Sequence, residues 1–273
     1  MDELKLVICD IDSTLVDSNR ELSDKTREVI NKLHDHHIDF GIASGRPLDE
    51  LKRNKEKWKL IHDFDILIGM NGSELWDNRR QQEFDYYKLK TEWIKEIIEL
   101  MDRFDTTYFI YLDGYILCNQ DTPIMHHSAT SSDKEIVVMD DKSQMYQVEN
   151  AKIMFRVKEE EMEMIEEYVN AHPSPYYKAF KTQATLLEFA DRRVSKAYAL
   201  EKYCEMNDMN IADVMAFGDT SNDNELLKVS GHGVCMINGS DDTKAVADAI
   251  TEKTNDEDGV AWYLLDHYFH EAN

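Results

Sequence analysis

Leu6-Val7-Ile8-Cys9-Asp10-Ile11-Asp12-Ser13-Thr14-Leu15 decides the reading: four apolar residues run straight into two aspartates spaced by one residue. A short apolar run bounded by polar residues is the pattern of a strand buried on both faces of a parallel sheet. Side chains alternate along a strand, so Asp10 and Asp12 can converge on one ligand at its carboxyl end. The same letters also describe a strand that merely ends in a polar loop.

Working outward, strand and helix alternate to about residue 77. Lys5 to Asp10 reads as a strand, and Leu22, Thr26, Val29, Ile30 and Leu33 recur at helical spacing behind a Ser23 N-cap, predicting a helix over 23–36. Residues 38–43 and 65–70 predict further buried strands, and Pro47 suits the first turn of the helix between them. The alternation returns near Ser195, with a helix to about Asn207, a strand at 214–217, a helix at 222–229 and a strand at 233–237. Between about Gln81 and Phe189 the wording changes to a helix at 89–104, a hairpin of 107–112 and 115–118 about Asp113-Gly114, and then strand, helix and paired strands over 152–157, 159–171 and 176–189. This is an α/β pattern interrupted by an inserted α+β segment.

The chain's 273 residues favour two domains, since one domain usually takes roughly 100 to 200 residues. A formal charge of −24, from 31 basic and 55 acidic side chains, would repel a phosphate backbone, so no nucleic-acid partner is expected. Screening over about 10 Å leaves local cations in control of a small anion, so acidity is compatible with anion chemistry. No apolar run approaches the ~20 residues of a membrane span and no signal-peptide pattern is seen, so no membrane partner and a cytoplasmic location are expected. Cys9, Cys118, Cys204 and Cys235 lie far apart, which argues against a disulfide framework or a thiolate zinc site and for buried thiols.

Three further stretches carry chemistry. Ala43-Ser44-Gly45-Arg46-Pro47 follows the second strand and offers a hydroxyl and backbone amides to a phosphate, or simply a Ser N-cap. Lys196, just after Ser195, opens the returning helix, where a cation opposes the helix dipole unless an anion lies nearby. Phe217-Gly218-Asp219-Thr220-Ser221-Asn222-Asp223 ends another strand with two carboxylates on one loop, a metal-site pattern that also fits ordinary capping. All four stretches fall at strand ends or helix starts, where ligands bind in open α/β sheets.

On these residues the chain resembles the haloacid dehalogenase-like phosphohydrolases, in their Cof-type branch. The first motif matches Asp10 to Leu15, the second Ser44-Gly45-Arg46, the third Lys196 and the fourth Gly218 to Asp223, with Asn71-Gly72 fitting before the insertion. Ser13 and Ala197 stand where this branch commonly has glycine. The resemblance covers essentially the whole chain. It implies an α/β fold with a Rossmann-like doubly wound parallel sheet core, 1–80 plus 190–273, and an inserted α+β cap domain, 81–189, that closes over the site and selects the substrate.

The resemblance also implies roles. Asp10 is the nucleophile that forms an aspartyl-phosphate, Asp12 the acid and then base, and Lys196 the counter-charge. Mg²⁺ is held by Asp10, Asp219, Asp223 and Asp12, the last through its main-chain carbonyl, while Ser44, Gly45, Arg46, Asn71 and Asn222 bind the phosphate or substrate. The expected partner is a small phosphorylated metabolite such as a sugar phosphate, polyol phosphate or phosphorylated cofactor, and the expected assembly a monomer or small homo-oligomer. A phosphotransferase or phosphomutase, or a non-catalytic metabolite-binding regulator, are the alternatives. In the insertion, His126, His127, Lys152, Arg156, Lys178 and Lys181 are candidate selectors, though a solvated surface accounts for most of them. The run His34-Asp35-His36-His37 reads as the cationic end of a helix rather than a metal site, and Trp262 to Leu265 as a terminal helix on the core.

Overall fold

The structure, a computed structural model, describes residues 4–270. Its contacts form two compact units, one of residues up to Tyr86 and from Ser195 onward, the other of Tyr87–Val194.

The first unit begins β1 (Leu6–Cys9), α1 (Asp24–Asp35), β2 (Asp39–Ala43), α2 (Leu48–Lys57), β3 (Ile66–Gly69), β4 (Glu74–Asp77) and β5 (Gln82–Asp85). The second holds α3 (Thr91–Met101), β6 (Thr107–Leu112), β7 (Tyr115–Cys118), α4 (Pro123–Ser132), β8 (Glu135–Val138), β9 (Lys152–Arg156), α5 (Glu159–Asn170), β10 (Tyr177–Gln183) and β11 (Leu186–Asp191). The first unit then resumes with α6 (Lys196–Met206), β12 (Val214–Gly218), α7 (Asn224–Val229), β13 (His232–Cys235), α8 (Asp241–Lys244), β14 (Ala249–Ile250) and α9 (Gly259–Tyr263).

The first unit's sheet has the order β14-β13-β12-β1-β2-β3-β4-β5. Pairing is parallel from β14 to β3 and antiparallel at β4 and β5. Alternation sends Val7, Cys9, Phe40 and Ile42 into a core with Val29 and Leu33 of α1 and Leu51 of α2. Leu6 and Ile8 point the other way, against Ala199, Leu200 and Tyr203 of α6 and Leu226 of α7. Helices on both faces of a largely parallel sheet make this the doubly wound α/β core expected, and continuous apolar strands at its centre follow from burial on both sides.

Ser23 caps α1 by accepting from the Thr26 amide at 3.0 Å, as its position before the apolar periodicity predicts. Pro47 is the N-cap of α2 rather than part of its first turn. The β4–β5 hairpin was not read from sequence. Its Gln82–Asp85 strand, largely exposed and polar, lies at the sheet edge yet falls in the stretch assigned to the insertion. Tyr263 and Leu264 pack into the core, and Trp262 lies between the ammonium groups of Lys25 and Lys253. The four cysteines are free and buried.

In the second unit a six-stranded sheet, β10-β11-β9-β6-β7-β8, packs α3 and α5 on one face through Ile94, Ile97, Ile98, Met162 and Ile165. Met125 and Ala129 of α4 join Phe109, Ile116 and Met154 in a second cluster. Gly114, at φ +79°, turns the β6–β7 hairpin anticipated at Asp113-Gly114. Among the described residues no helix is long and apolar enough to cross a membrane.

Candidate active site

The central strands β1, β2 and β12 run parallel with β1 in the middle, so the residues following each emerge together at one sheet edge. Asp10 follows β1, Ser44 follows β2, and Asp219 follows β12. Lys196 arrives from the start of α6, whose N-cap is Ser195. Segments nearly two hundred residues apart thus meet because of strand order.

At the centre, Lys196 Nζ donates to Asp10 Oδ1 at 2.5 Å and to Asp223 Oδ1 at 2.6 Å. Lys196 is 1% exposed, and the anions that a cation at a helix start calls for are these carboxylates. Asp10, Asp219 and Asp223 each offer an oxygen within 4.8 Å of the others, and no other such group of acidic, histidine or cysteine side chains occurs among the described residues. Thr14 Oγ1 donates to Asp219 Oδ1 at 2.9 Å. Asp223 serves twice: its Oδ2 accepts from the amides of Asp219 and Thr220, holding the loop, while its Oδ1 faces the lysine. Only glycine permits this at position 218, because a Cβ there would lie 2.5 Å from the Cβ of Asp223.

The electrostatics follow from burial. Burial raises the Asp10 carboxyl well above the ordinary carboxylate range; Lys196 opposes that rise, and Asp223 and Asp219 add to it. Asp219 is pushed up to about 6, by burial first and then by Asp223. For Lys196 burial acts against the charged form, but Asp10 and Asp223 outweigh it and hold the ammonium above its usual value. With all three carboxylates ionised, one ammonium leaves two negative charges without a counter-ion. All-oxygen, all-carboxylate donors suit a hard divalent cation such as Mg²⁺, whose charge would balance that excess.

Asp12 is outside this cluster by its side chain, which is 47% exposed and gripped by Arg46. Arg46 Nη2 donates to Asp12 Oδ1 at 2.6 Å and Oδ2 at 2.7 Å, and Nε to Oδ2 at 3.2 Å. Arg46 Nη1 donates to Glu50 Oε1 at 2.9 Å, one turn into α2. Ser44 is buried and is not the helix cap; its Oγ accepts from the Arg46 amide at 3.3 Å and its carbonyl from the Asn71 amide at 3.0 Å. Gly45 lies against Asn71, since a Cβ on it would sit 3.3 Å from Asn71 Oδ1. Asn222 is on the same loop as Asp219 but exposed, accepting from Thr220 Oγ1 at 2.7 Å.

Two backbone features explain local sequence choices. Ser13 adopts φ +62°, a left-handed conformation that costs a non-glycine residue about 1–2 kcal/mol, which gives a physical reason for glycine to be common there. Gly72, at φ +105°, brings the Met70–Gly72 turn against the start of α6: a Cβ would lie 2.0 Å from the Ser195 carbonyl oxygen and 3.0 Å from the Lys196 amide nitrogen.

The Arg46–Asp12 fork and the roles of Thr14 and Glu50 were not anticipated. The available signal was the i,i+4 spacing of Arg46 and Glu50; Thr14 lies in the turn over 11–15, beyond the strand, where no alternation points to it. In the second unit, Lys152 is not a solvated side chain: it is buried and donates to Glu188 Oε2 at 2.8 Å. Arg156 bonds Gln183 and Ser128, and Lys181 lies 3.5 Å from Glu166. His126 pairs with Asp121 at the surface. His34 lies in the last turn of α1, its ring tilted against that of His62 at 4.5 Å between centroids.

Known proteins resemble this chain over most of its length. A family model described as haloacid dehalogenase-like hydrolase matches residues 7–264. The 5-amino-6-(5-phospho-D-ribitylamino)uracil phosphatase YcsE of Bacillus subtilis is 29% identical over 260 residues, 95% of this chain and 94% of that protein. YitU of the same organism, named for the same activity, is 24% identical over 276 residues, 96% of this chain and 97% of that protein. Among solved structures, a haloacid dehalogenase-like hydrolase from Bacteroides thetaiotaomicron superposes with a TM-score of 0.85 at 24% identity, covering 97% of this chain and 100% of that one.

Proposed function

This chain belongs to the haloacid dehalogenase-like hydrolases, in their Cof-type branch, and is a phosphoric monoester hydrolase; from that premise we propose that it is a Mg²⁺-dependent phosphatase of small sugar or polyol phosphates acting through an aspartyl-phosphate on Asp10. The observation that carries the reading is the buried meeting of Asp10, Lys196, Asp219 and Asp223. A polyol phosphate is favoured within this class because the relatives YcsE and YitU are both named for a phosphoribitylamino substrate.

Asp10 attacks phosphorus, the leaving oxygen departs with a proton from Asp12, and Asp12 then takes a proton from the water that cleaves the acyl phosphate. Lys196 balances the incoming dianion beside Asp10 and keeps the carboxylates from repelling it. Ser44, with amides of the Ser44–Arg46 turn, and Asn222 bind the transferring phosphate, and Asn71 supports that turn. Asp10, Asp219 and Asp223, with the main-chain carbonyl of Asp12, would hold the metal, which would supply charge neutralisation at the phosphate. Residues 87–194 select the leaving group, and the enzyme works in the cytoplasm, where its four free thiols stay reduced.

The test is phosphate release from a panel of phosphorylated polyols, sugars and aryl phosphates, with and without Mg²⁺. The proposal expects Mg²⁺-dependent turnover of a polyol or sugar phosphate, lost in Asp10→Asn. Isomerisation of a sugar phosphate without net phosphate release would point to a mutase instead.

A further inference from the structure

The proposed acid and base, Asp12, is the most exposed of the motif carboxylates, and an exposed side chain samples several rotamers unless something holds it. Proton transfer to a leaving oxygen demands the reverse, a carboxyl fixed within hydrogen-bond reach. The chain meets that demand with Arg46. A guanidinium is planar and presents its donors as a rigid fork, and here Nε and Nη2 are turned onto the two oxygens of one carboxylate. Its remaining nitrogen, Nη1, is held by Glu50, whose side chain is 13% exposed and anchored on α2. The fork is therefore fixed from behind by a helix and from in front by Asp12. All three guanidinium nitrogens are engaged by carboxylates, so the group is arranged as a strut between α2 and Asp12.

We infer that Glu50 and Arg46 are positioning residues for Asp12: Glu50 orients Arg46, and Arg46 holds the Asp12 carboxyl at the leaving-group oxygen. The inference rests on the assignment of Asp12 as acid and base. It gives a role to Glu50 and gives Arg46 a task distinct from binding phosphate. A phosphate-binding arginine would contribute alike whatever alcohol leaves. A residue that aligns the acid contributes most when the leaving oxygen most needs a proton.

The experiment compares kcat/KM for 4-nitrophenyl phosphate and phenyl phosphate, phenolate being the poorer leaving group, in the full chain with Mg²⁺. This constant reports the step in which the ester bond breaks. Asp12→Asn should lose at least about tenfold more on phenyl phosphate than on the nitro ester, within the range a general acid supplies. Glu50→Gln, which keeps the shape but removes the charge, should show the same bias at about threefold, and the double variant should be no more biased than Asp12→Asn alone. Arg46→Lys, which keeps the charge but loses the fork, carries the same expectation should Glu50→Gln fail to fold. Equal losses on both esters, or none, in Glu50→Gln or Arg46→Lys overturn the inference while leaving Asp12 as the acid. An unbiased Asp12→Asn overturns the acid assignment itself, and the inference with it.

Discussion

Among the described residues two lysines are buried, Lys196 in the first unit and Lys152 in the second, and they are buried for different reasons. Lys152 meets one carboxylate, Glu188, whose other oxygen accepts from Thr182 at 3.1 Å. The Arg156 guanidinium also acts on that carboxylate, so its charge is balanced. Lys196 meets Asp10 and Asp223, with Asp219 close behind, and the balance is negative. A balanced pair can be kept for packing or specificity. A buried surplus of like charge works against folding, and its retention marks a place where something cationic or a reacting group is meant to enter.

The comparison can be broken first at its catalytic side. Asp10→Asn should reduce phosphate release at least about 10³-fold while circular dichroism shows an intact fold, because the proposed covalent route runs through that carboxylate. Turnover near the parent rate in that variant would remove the functional meaning of the charge surplus. At the balanced side the loss should appear in stability. Lys152→Met removes the buried ammonium bonded to Glu188 and should cost about 3–5 kcal/mol in urea unfolding, with most of it recovered in Lys152→Met/Glu188→Leu. A failure of the double variant to recover would show that this pair, too, does more than neutralise itself.

Metal addition separates the two clusters directly. Mg²⁺ at about 100 times its dissociation constant should stabilise the parent by about 2.7 kcal/mol, seen as a rise in Tm that EDTA reverses. The rise should shrink in Asp219→Asn and persist in the Lys152→Met/Glu188→Leu variant. Smallest is the effect at Asp65, pushed up to about 6 by burial first and then by Asp39. A carboxyl raised on folding is proton-rich in the native state between its unfolded and folded values, so its contribution is present at low pH and lost as pH rises from about 4 to about 6. Asp65→Asn keeps an acceptor for the Phe40 amide and should be more stable than the parent by about 1–2 kcal/mol at pH 8, with the gain fading near pH 4. Equal gains at both pH values would assign the effect to packing.

Much of this was legible in the letters because local physics and fold agree where motifs sit. Apolar strands ending in aspartate at Asp10 and Asp219, and a lysine at a helix start, name both the elements and the edge on which they meet. The less legible parts are those where the chain's local signal is weak. The β4–β5 hairpin ends in an exposed, polar strand with no clean alternation. Helix α4 is short and carries Thr and Ser, and β8 pairs in parallel with β7 at a sheet edge, a partnership no local pattern encodes. Lys152 and Arg46 were visible as cations, but which carboxylate each would find depends on pairings across strands and loops. The sequence could suggest a charge was needed near Asp10; it could not say that Asp12 would be braced from α2.

The glycine at position 72 has a mechanical consequence. Two main chains touch there so closely that a single methyl group would collide with the Ser195 carbonyl oxygen. Any side chain would act as a wedge under the first turn of α6 and tip the amine that sits 2.5 Å from Asp10. The alignment of Lys196 with Asp10 is thus guarded, at a distance from both, by an atom the chain leaves out.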